Sequence, residues 1–347
     1  MYDIIGDVHG HATALESLLR HLGYRYNRGA FRFPGNRRQV IFLGDFIDRG
    51  PKIVETLTIV QAMLDGGSAS AVIGNHEYNA LIWHTPDGKG GWLRTHTDVH
   101  LKQHRATLEQ FGLDPNDPAD TKGVLDGGSL TTVGARRLRE ELSWLRRLPL
   151  YLENDVLRVV HAAWSDAAVS TLEETVRGTV RFEPRFSLLD DTFLYRSAYG
   201  KYRESWAVEI LLKGIEIGLP GGAHYRDKEG ASRFRTRVRW WIDPATLVAK
   251  PMVTMADVAM PPADRELATL PVAQRYLERF PGYRDQRPVF FGHYWFLPPA
   301  APVESRAACL DYSIARDGWL CAYRYDGEPV LTREGFTAVD AAGRVVQ

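Results

Sequence analysis

Three short glycine-bearing strings, each placed directly after an apolar run, constrain this chain more than any of its other features. They are Gly-Asp-Val-His-Gly at 6–10, Gly-Asp-Phe-Ile-Asp-Arg-Gly at 44–50 and Gly-Asn-His-Glu at 74–77. The runs before them are typical of buried β-strands: Tyr2-Asp3-Ile4-Ile5, Val40-Ile41-Phe42-Leu43 and Ala71-Val72-Ile73. Ligand sites in α/β sheets are built where such strands end, so the strings predict one shared site.

The side chains that these strings bring to the sheet edge are of the kinds that hold metal ions. The set comprises Asp7, His9, Asp45, Asp48, Arg49, Asn75, His76 and Glu77. Carboxylates packed this closely repel one another unless a cation lies between them. The sequence therefore predicts two divalent cations close together and, with them, a metal-dependent phosphoesterase.

The three strings resemble those of the phosphoprotein phosphatase branch of the calcineurin-like metallophosphoesterases. They occur in the family order, with Asp7, Asp45 and Asn75 spaced 38 and 30 residues apart. The resemblance covers about the first 85 residues and two later histidine segments. It implies an α/β fold with a two-sheet β-sandwich core flanked by helices, in a single domain over 1–347 with insertions at about 83–130 and 165–285.

Six residues are predicted as metal ligands. Asp7 and His9 lie two residues apart and can converge on one ion, Asp45 is placed to bridge both ions, and Asn75 offers an oxygen to the second. Two histidines that end later apolar runs are expected to complete the second ion, and the resemblance implies the same roles: His161 and His293. Two ions about 3.5–4 Å apart clamp an in-line phosphoryl displacement. The mixed nitrogen and oxygen ligands suit manganese, iron or zinc better than calcium or magnesium. The family resemblance favours manganese among them, with iron or zinc as alternatives.

The remaining motif residues are assigned to the reaction itself. His76 is predicted to be a general acid rather than a ligand, because Asp48 can accept its second N–H and keep it protonated. Glu77 is expected to support the site from behind, and the planar fork of Arg49 is expected to bind two phosphate oxygens. The family also implies a second phosphate-binding arginine. The string Phe193-Leu194-Tyr195-Arg196 resembles the one that carries it, so we assign Arg196, with Arg203 as the alternative.

Composition sets the wider limits. The 347 residues are 44% hydrophobic and 25% charged, and 43 basic residues balance 43 acidic ones, which favours neither a nucleic acid nor a membrane as partner. Nucleic acid stays an open alternative, and a phosphorylated protein or nucleotide is the expected partner. With only Cys309 and Cys321, no apolar run near 18 residues and no visible signal segment, a cytoplasmic location is expected.

Beyond the motifs, periodicity predicts helices near 98–112, 135–148 and 204–215 and strands at 156–161, 289–293, 307–313 and 319–325. Asp326-Gly327 predicts a hairpin turn towards 329–332. Alternating arginines at 233–239 predict a strand with one arginine face, which is expected to be a solvated surface. The scattered histidines of the first insertion are expected to be solvent-exposed: His84, His96, His100 and His104. Both segments are nevertheless predicted to flank the metal site.

Three functions compete. The leading one is hydrolysis of phosphomonoesters such as protein phosphoserine or phosphothreonine, because the chain keeps Asp48 and Glu77. The second is hydrolysis of a dinucleoside polyphosphate such as diadenosine tetraphosphate, or of a nucleotide or RNA end, with a base stacked on one of four tryptophans: Trp83, Trp92, Trp240 or Trp241. The third is an inactive phosphate-binding module, which the complete set of ligand-type residues disfavours.

Overall fold

A computed structural model describes residues 1–117, 132–175, 189–226, 232–242 and 282–347. The parts of the two predicted insertions at 118–131, 176–188, 227–231 and 243–281 lie outside them. The single-domain organisation with insertions stays a prediction.

The elements alternate between strands and helices in the first part of the chain and return to strands at its end. The helices are α1 (Ala12–His21), α2 (Ile53–Asp65), α3 (Asn75–His84), α4 (Asp98–Gln110), α5 (Val133–Leu145), α6 (Asp166–Thr175), α7 (Asp191–Ala198) and α8 (Arg203–Lys213). The strands are β1 (Tyr2–Ile5), β2 (Arg25–Asn27), β3 (Ala30–Arg32), β4 (Gln39–Phe42), β5 (Ala69–Ala71), β6 (Tyr151–Glu153), β7 (Arg158–Val160), β8 (Glu216–Gly218), β9 (Tyr225–Arg226), β10 (Ser232–Arg233), β11 (Arg235–Arg237), β12 (Val289–Phe291), β13 (Ala307–Cys309), β14 (Asp311–Tyr312), β15 (Trp319–Tyr325) and β16 (Phe336–Val339).

A six-stranded mixed sheet carries all three motifs. Its strand order is β14-β15-β1-β4-β5, and the sixth strand, β16, also pairs with β15. β1 runs parallel to β4, which runs parallel to β5, so their carboxyl ends meet at one edge. Helices α1 and α2 make the crossovers because each buries an apolar stripe, as with Leu15, Leu18 and Leu19 of α1. The apolar runs before the first two motifs, which the sequence predicts as strands, form β1 and most of β4.

A second sheet of four strands, in the order β13-β12-β7-β6, packs against the first. β12 is parallel to both of its neighbours, so the segments after β7 and β12 leave the sheet at the same end. Side chains from both sheets form a buried layer between them, including Ile4, Ile41, Leu43, Val72, Leu152, Val159, Phe290 and Ala308. This layer is the core of the predicted two-sheet sandwich, and it positions His161 and His293 opposite the three motifs.

The later elements are confirmed in part. The helices predicted near 98–112, 135–148 and 204–215 correspond to α4, α5 and α8. The hairpin prediction was wrong: residues 329–332 form no strand, and β15 pairs instead with β16, for example Tyr323 with Phe336. Periodicity also missed α6 and α7, because both are short and flanked by irregular sequence.

The arginine strand is confirmed for β11, which pairs with β8. Arg235 is exposed, Thr236 is buried and Arg237 is half-buried, as a period of two requires. Phe234 departs from the pattern, since 56% of it is exposed. Among the described residues no helix is long and apolar enough to cross a membrane.

Candidate metal centre

The predicted ligands occupy tight turns directly after the strands. Asp7 and His9 follow β1, and Asp45 follows β4. Several of these turn residues have positive φ angles, including His9 at 44°, Asp45 at 51° and His293 at 67°. Such backbone costs of order 1–3 kcal/mol per residue and concentrates at functional sites. The strain turns the side chains of both sheets inwards onto one point.

Asp45 lies at the centre of this convergence. Its Oδ2 is 3.5 Å from His9 Nε2, and its Oδ1 is 3.5 Å from His161 Nε2. The donor atoms of Asp45, His161 and His293 all lie within 4.8 Å of one another, and so do those of Asp45, His9 and His76. The two oxygens of one carboxylate therefore face two separate groups of nitrogen donors, which is the arrangement predicted for a bridging ligand.

The histidines of the site are oriented by backbone carbonyls. Nδ1 of His161 is 2.8 Å from the Leu43 carbonyl, and Nδ1 of His9 is 3.1 Å from the Ile47 carbonyl. Because a carbonyl only accepts, Nδ1 donates, and in the neutral imidazole that a metal ion binds, Nε2 keeps its lone pair facing Asp45. Asn75 Oδ1 lies 2.9 Å from His161 Nε2, so the predicted amide oxygen joins the same group.

Asp7 is held differently. Its Oδ2 accepts the backbone N–H of His293 at 3.1 Å, across the gap between the two sheets. A Cβ added at Gly292 would overlap Asp7 Oδ1, so this approach requires glycine there. In the closely spaced donor group around His9, the described structure has His76 where the sequence predicted Asp7. The roles of Asp7 and His76 stay predictions.

Several features of the described residues fit divalent cations. His293 Nε2 is buried and has no hydrogen-bond partner within the described part of the chain. Burial, and then the charges of Asp311 and Asp45, raise the pKa of Asp7 well above its usual range. For Asp45, burial alone would raise the pKa, but the neighbouring His161, His76 and His9 hold it at about 2. Burial and mutual repulsion disfavour the charged form of these carboxylates, and a pair of transition-metal ions would offset that cost. The same ions would give the unpartnered imidazole nitrogen a partner.

Glu77 holds the ligand loop in place. Its carboxylate accepts the backbone N–H groups of Asp45, Phe46, Ile47 and Gly74 at 2.7–3.1 Å. Burial and the charge of Asp45 raise the pKa of Glu77 to about 7, against the opposing effect of these donors. The contacts match the supporting position that the sequence predicted for this residue.

His76, at the start of α3, has one partner on each ring nitrogen. Nδ1 is 2.6 Å from Asp48 Oδ2, and Nε2 is 3.2 Å from Arg49 Nη2. Burial disfavours the imidazolium, but the charges of Asp45 and Asp48 outweigh it and raise the pKa of His76. The His76–Asp48 contact required for a general acid is present, and Nε2 faces the same side as the Arg49 guanidinium.

The expectation that the insertion histidines are solvent-exposed was wrong: His96 and His100 are half-buried, and His84 and His104 are buried. His104 and His84 are 2% and 0% exposed. His104 Nδ1 lies 3.0 Å from Asp48 Oδ1, and His104 Nε2 lies 3.2 Å from His84 Nε2. Thr107 also donates to Asp48 Oδ1, at 2.5 Å. The i, i+3 spacing of His104 and Thr107 on a helix near the third motif was the available signal, because it places both on one face.

The tryptophans proposed for base stacking are also occupied. The His96 ring stacks between Trp83 at 3.7 Å and Trp92 at 5.2 Å between ring centroids. Trp240 and Trp241 are buried at 2% and 4% exposure. Trp83, Trp240 and Trp241 are therefore buried and offer no face to a base, whereas half-buried Trp92 has one face covered by His96. Stacking of a base on Trp92 stays a prediction.

The arginines divide into two groups. Arg196 pairs with Glu204 at 2.5 Å, and Arg203 pairs with Glu174 at 3.0 Å, and neither Glu204 nor Glu174 belongs to the metal centre. Arg237, which the sequence did not single out, donates through Nη1 to the His293 carbonyl at 3.4 Å. Burial, and then the positive charge of Arg237, lower the pKa of His293 well below its usual range. The arginine strand and the histidine segment thus both reach the site, as predicted, while the phosphate-binding role of Arg196 stays a prediction.

Comparison with known proteins finds nucleotide hydrolases among the relatives. The asymmetrical bis(5'-nucleosyl)-tetraphosphatase PrpE of Halalkalibacterium halodurans is 44% identical over 111 residues, 31% of this chain and 45% of that protein. The symmetrical bis(5'-nucleosyl)-tetraphosphatase of Ralstonia nicotianae is 26% identical over 241 residues, 67% of this chain and 66% of that protein. The alignment thus spans less than half the length of the Halalkalibacterium protein.

Solved structures share only a general likeness with this chain. A cold-active protein-tyrosine phosphatase of a Shewanella species is 16% identical with a TM-score of 0.45, covering 100% of this chain and 80% of that one. A protein serine/threonine phosphatase from Saccharomyces cerevisiae is 14% identical with a TM-score of 0.41, covering 98% and 79%. At these values the likenesses carry no argument about substrate.

The family assignment rests on sequence. The model of the calcineurin-like phosphoesterase family matches residues 2–189, which is more than half of the chain. The matched segment includes all three motifs and His161, and the convergence of these residues on Asp45 is what such a family would use. The resemblance read from the motifs is confirmed, and the chain belongs to the calcineurin-like phosphoesterases.

Proposed function

We propose that this chain is a phosphoesterase that works with two divalent metal ions. The observation that carries the proposal is the position of Asp45, whose two carboxylate oxygens face His9 and His161 at 3.5 Å each. A first ion would be held by Asp7, His9 and Asp45, and a second by Asp45, Asn75, His161 and His293. The ions, when bound, supply Lewis acidity to the phosphoryl oxygens and to the attacking water.

The chain's own residues supply the remaining chemistry. Nε2 of His76 accepts a hydrogen bond from the Arg49 guanidinium at 3.2 Å, so His76 takes up its proton at Nε2 when Arg49 turns to the phosphate. Asp48 fixes the ring through Nδ1, and the Nε2 proton passes to the departing alkoxide. Arg49, exposed at the mouth of the site, offers two parallel N–H groups to the phosphate oxygens. We also propose Arg196 as a second phosphate-binding residue. This role requires the Arg196 side chain to leave Glu204 and turn towards the metal centre.

The donor atoms of the site bear on the choice of metal ion, and the two cysteines of the chain bear on the cellular location. The mixed nitrogen and oxygen donors suit manganese, iron or zinc better than calcium or magnesium, and we propose manganese. Cys309 and Cys321 are buried free thiols, which fits a reducing cytoplasm.

Two substrate classes fit this centre. Phosphomonoesters are proposed because Asp48 and Glu77, the residues on which that expectation rested, both contact the site. Dinucleoside tetraphosphates are the second candidate, because both sequence relatives described above carry that activity in their names. An inactive module that binds phosphate is the outcome if neither class is hydrolysed.

The deciding experiment combines metal binding with turnover. Purified protein with added Mn²⁺ is assayed on p-nitrophenyl phosphate, a phosphoserine peptide and diadenosine tetraphosphate, and bound metal is counted by elemental analysis. Asp45→Asn should lose activity on all three and bind fewer ions, whereas Asp65→Asn, at an exposed helix end, should behave as wild type. Full activity in Asp45→Asn, or wild-type protein that binds no metal, would overturn the proposal.

A further inference from the structure

Three guanidinium groups surround the indole of Trp295, two residues after His293. The carbon at the centre of the Arg316 guanidinium lies 4.7 Å from the ring centroid, and those of Arg49 and Arg237 lie 5.6 Å from it. We call these four residues the Trp295 cluster. Arg49 and Arg316 are exposed, and Trp295 and Arg237 are half-buried, so solvent and ligands reach the group.

None of the three guanidiniums has a carboxylate within ion-pair distance among the described residues, whereas eleven other arginines there have one. Asp311 comes near, but its two oxygens accept the backbone N–H groups of Trp295 at 2.8 Å and Ser313 at 3.0 Å. Cation–π attraction to one indole only partly offsets the repulsion among three like charges. The cluster therefore lacks an anion.

The backbone around the cluster is held in unusual conformations. Trp295 has a φ of 51°, and Ser313 and Asp317, which flank the short turn that carries Arg316, have φ angles of 62° and 60°. Positive φ in a bulky side chain is a genuine outlier, and such strain persists where the surrounding structure imposes it. Two separate loops are thus bent towards one indole.

The cluster is continuous with the metal centre. Arg49 contacts His76, Arg237 donates to the carbonyl of His293, and Asp311 joins the Trp295 loop to the loop of Arg316. A phosphate group held between the metal ions and Arg49 would thus have Arg237 and Arg316 on its outer side. An anion that satisfies them must extend from the scissile phosphate.

We propose that Trp295, Arg237 and Arg316 bind phosphate groups that are linked to the scissile one, so that the preferred substrates carry a chain of two or more phosphates. This inference rests on the proposed function for the position of the scissile phosphate. A chain of linked phosphates places charge and acceptor oxygens at each guanidinium in turn. A phosphoserine peptide supplies one phosphate and leaves Arg237 and Arg316 unpaired. The guanidiniums also crowd the indole, which favours an anion there over a stacked base.

Binding can be measured apart from catalysis. Calorimetric titration of the purified protein with inorganic tripolyphosphate and with orthophosphate should show tripolyphosphate binding at least about tenfold tighter. Arg316→Gln should reduce that preference about tenfold, and Arg316→Lys, which keeps the charge and loses the planar fork, should reduce it less. Arg333→Gln, at an exposed arginine outside the cluster, is the matched control and should keep the preference. Metal released by tripolyphosphate is checked by elemental analysis.

A kinetic experiment tests the same preference for linked phosphates over a single phosphate. The preference in kcat/KM for a nucleoside triphosphate over p-nitrophenyl phosphate should fall about tenfold in Arg316→Gln. Equal affinity of the wild type for orthophosphate and tripolyphosphate, or an unchanged preference in Arg316→Gln, would overturn the inference. Stronger competition by an acidic phosphopeptide than by tripolyphosphate would do the same. If the protein hydrolyses nothing, the proposed function fails, while the titration still decides whether the cluster binds linked phosphates.

Discussion

The two sides of the His76 imidazole are built in opposite ways, although adjacent residues of one loop supply them. Asp48, facing Nδ1, is 3% exposed and also contacts His104 and Thr107. Arg49, facing Nε2, is exposed and lies beside Trp295 with no carboxylate partner among the described residues. Positive φ angles at both residues, 65° and 70°, turn the two side chains away from each other.

The difference separates orientation from recognition. On the inner side every polar atom of Asp48 is engaged within the protein, so this side fixes one ring position and one proton. On the outer side the Arg49 guanidinium keeps N–H groups that can donate to a ligand. Changes on the inner side should therefore affect turnover according to the leaving group, and changes on the outer side should affect binding according to the phosphate.

The largest effect is expected where both sides meet. His76→Ala should lower turnover on an alkyl phosphate by about 10²–10⁴, because serine-like alkoxides depart only with a proton, and should lower turnover on an aryl phosphate far less. Bound metal should stay near wild type. Comparing kcat on phosphoserine and p-nitrophenyl phosphate tests this, with the exposed His21→Ala as control. Equal losses on both esters, or loss of metal, would show that His76 acts as a ligand of the first ion.

Asp48→Asn should show the same leaving-group selectivity to a smaller degree, a loss of about 10–100-fold on the alkyl ester. The substitution keeps the volume and removes the charge that favours the imidazolium. The ratio of kcat values on the two esters is the measurement. An equal loss of kcat on both esters would show that Asp48 does not assist proton transfer and only supports the structure of the site.

Arg49→Lys should raise KM about tenfold on both esters alike, because the positive charge stays and the bidentate fork is lost. This outcome would separate the outer side from the inner one. A change in kcat on the alkyl ester alone would mean that Arg49 acts mainly through His76, and the distinction between the two sides would fail.

His104→Asn is expected to have the smallest effect on rate, below about tenfold, because His104 reaches the reaction only through Asp48. It should lower the free energy of unfolding by about 1–3 kcal/mol, since a buried acceptor loses one donor. A double-mutant cycle with Asp48→Asn, followed by denaturant unfolding, should give a clearly non-additive sum. Additive effects would show that the His104–Asp48 contact contributes little.

The parts of the site predicted from sequence are those in which strand and ligand are neighbours along the chain. Asp7, His9, Asp45 and Asn75 each follow an apolar run within a few residues, so local pattern and sheet geometry place them together. His161 and His293 were recognisable for the same reason, although they belong to the second sheet.

The residues that sequence missed or misread join the site through tertiary packing. His104 lies on α4, 56 residues from Asp48, and its i, i+3 spacing to Thr107 shows that the two share a helix face but not that this face meets Asp48. Arg237 was one of several alternating arginines, and only the pairing of β11 with β8 beside His293 selects it. Trp295 was overlooked because its partners come from three separate segments of the chain.

Glu77 carries a consequence for how metal ions enter and leave. Its four backbone contacts hold the Asp45 loop through a side chain of α3, so the protein itself provides the frame on which the ligands sit. Metal loading then requires little rearrangement, and one ion can replace another on the folded protein. On such a frame the identity of the bound ion would depend on its fit to the preformed ligands and on its supply in the cell.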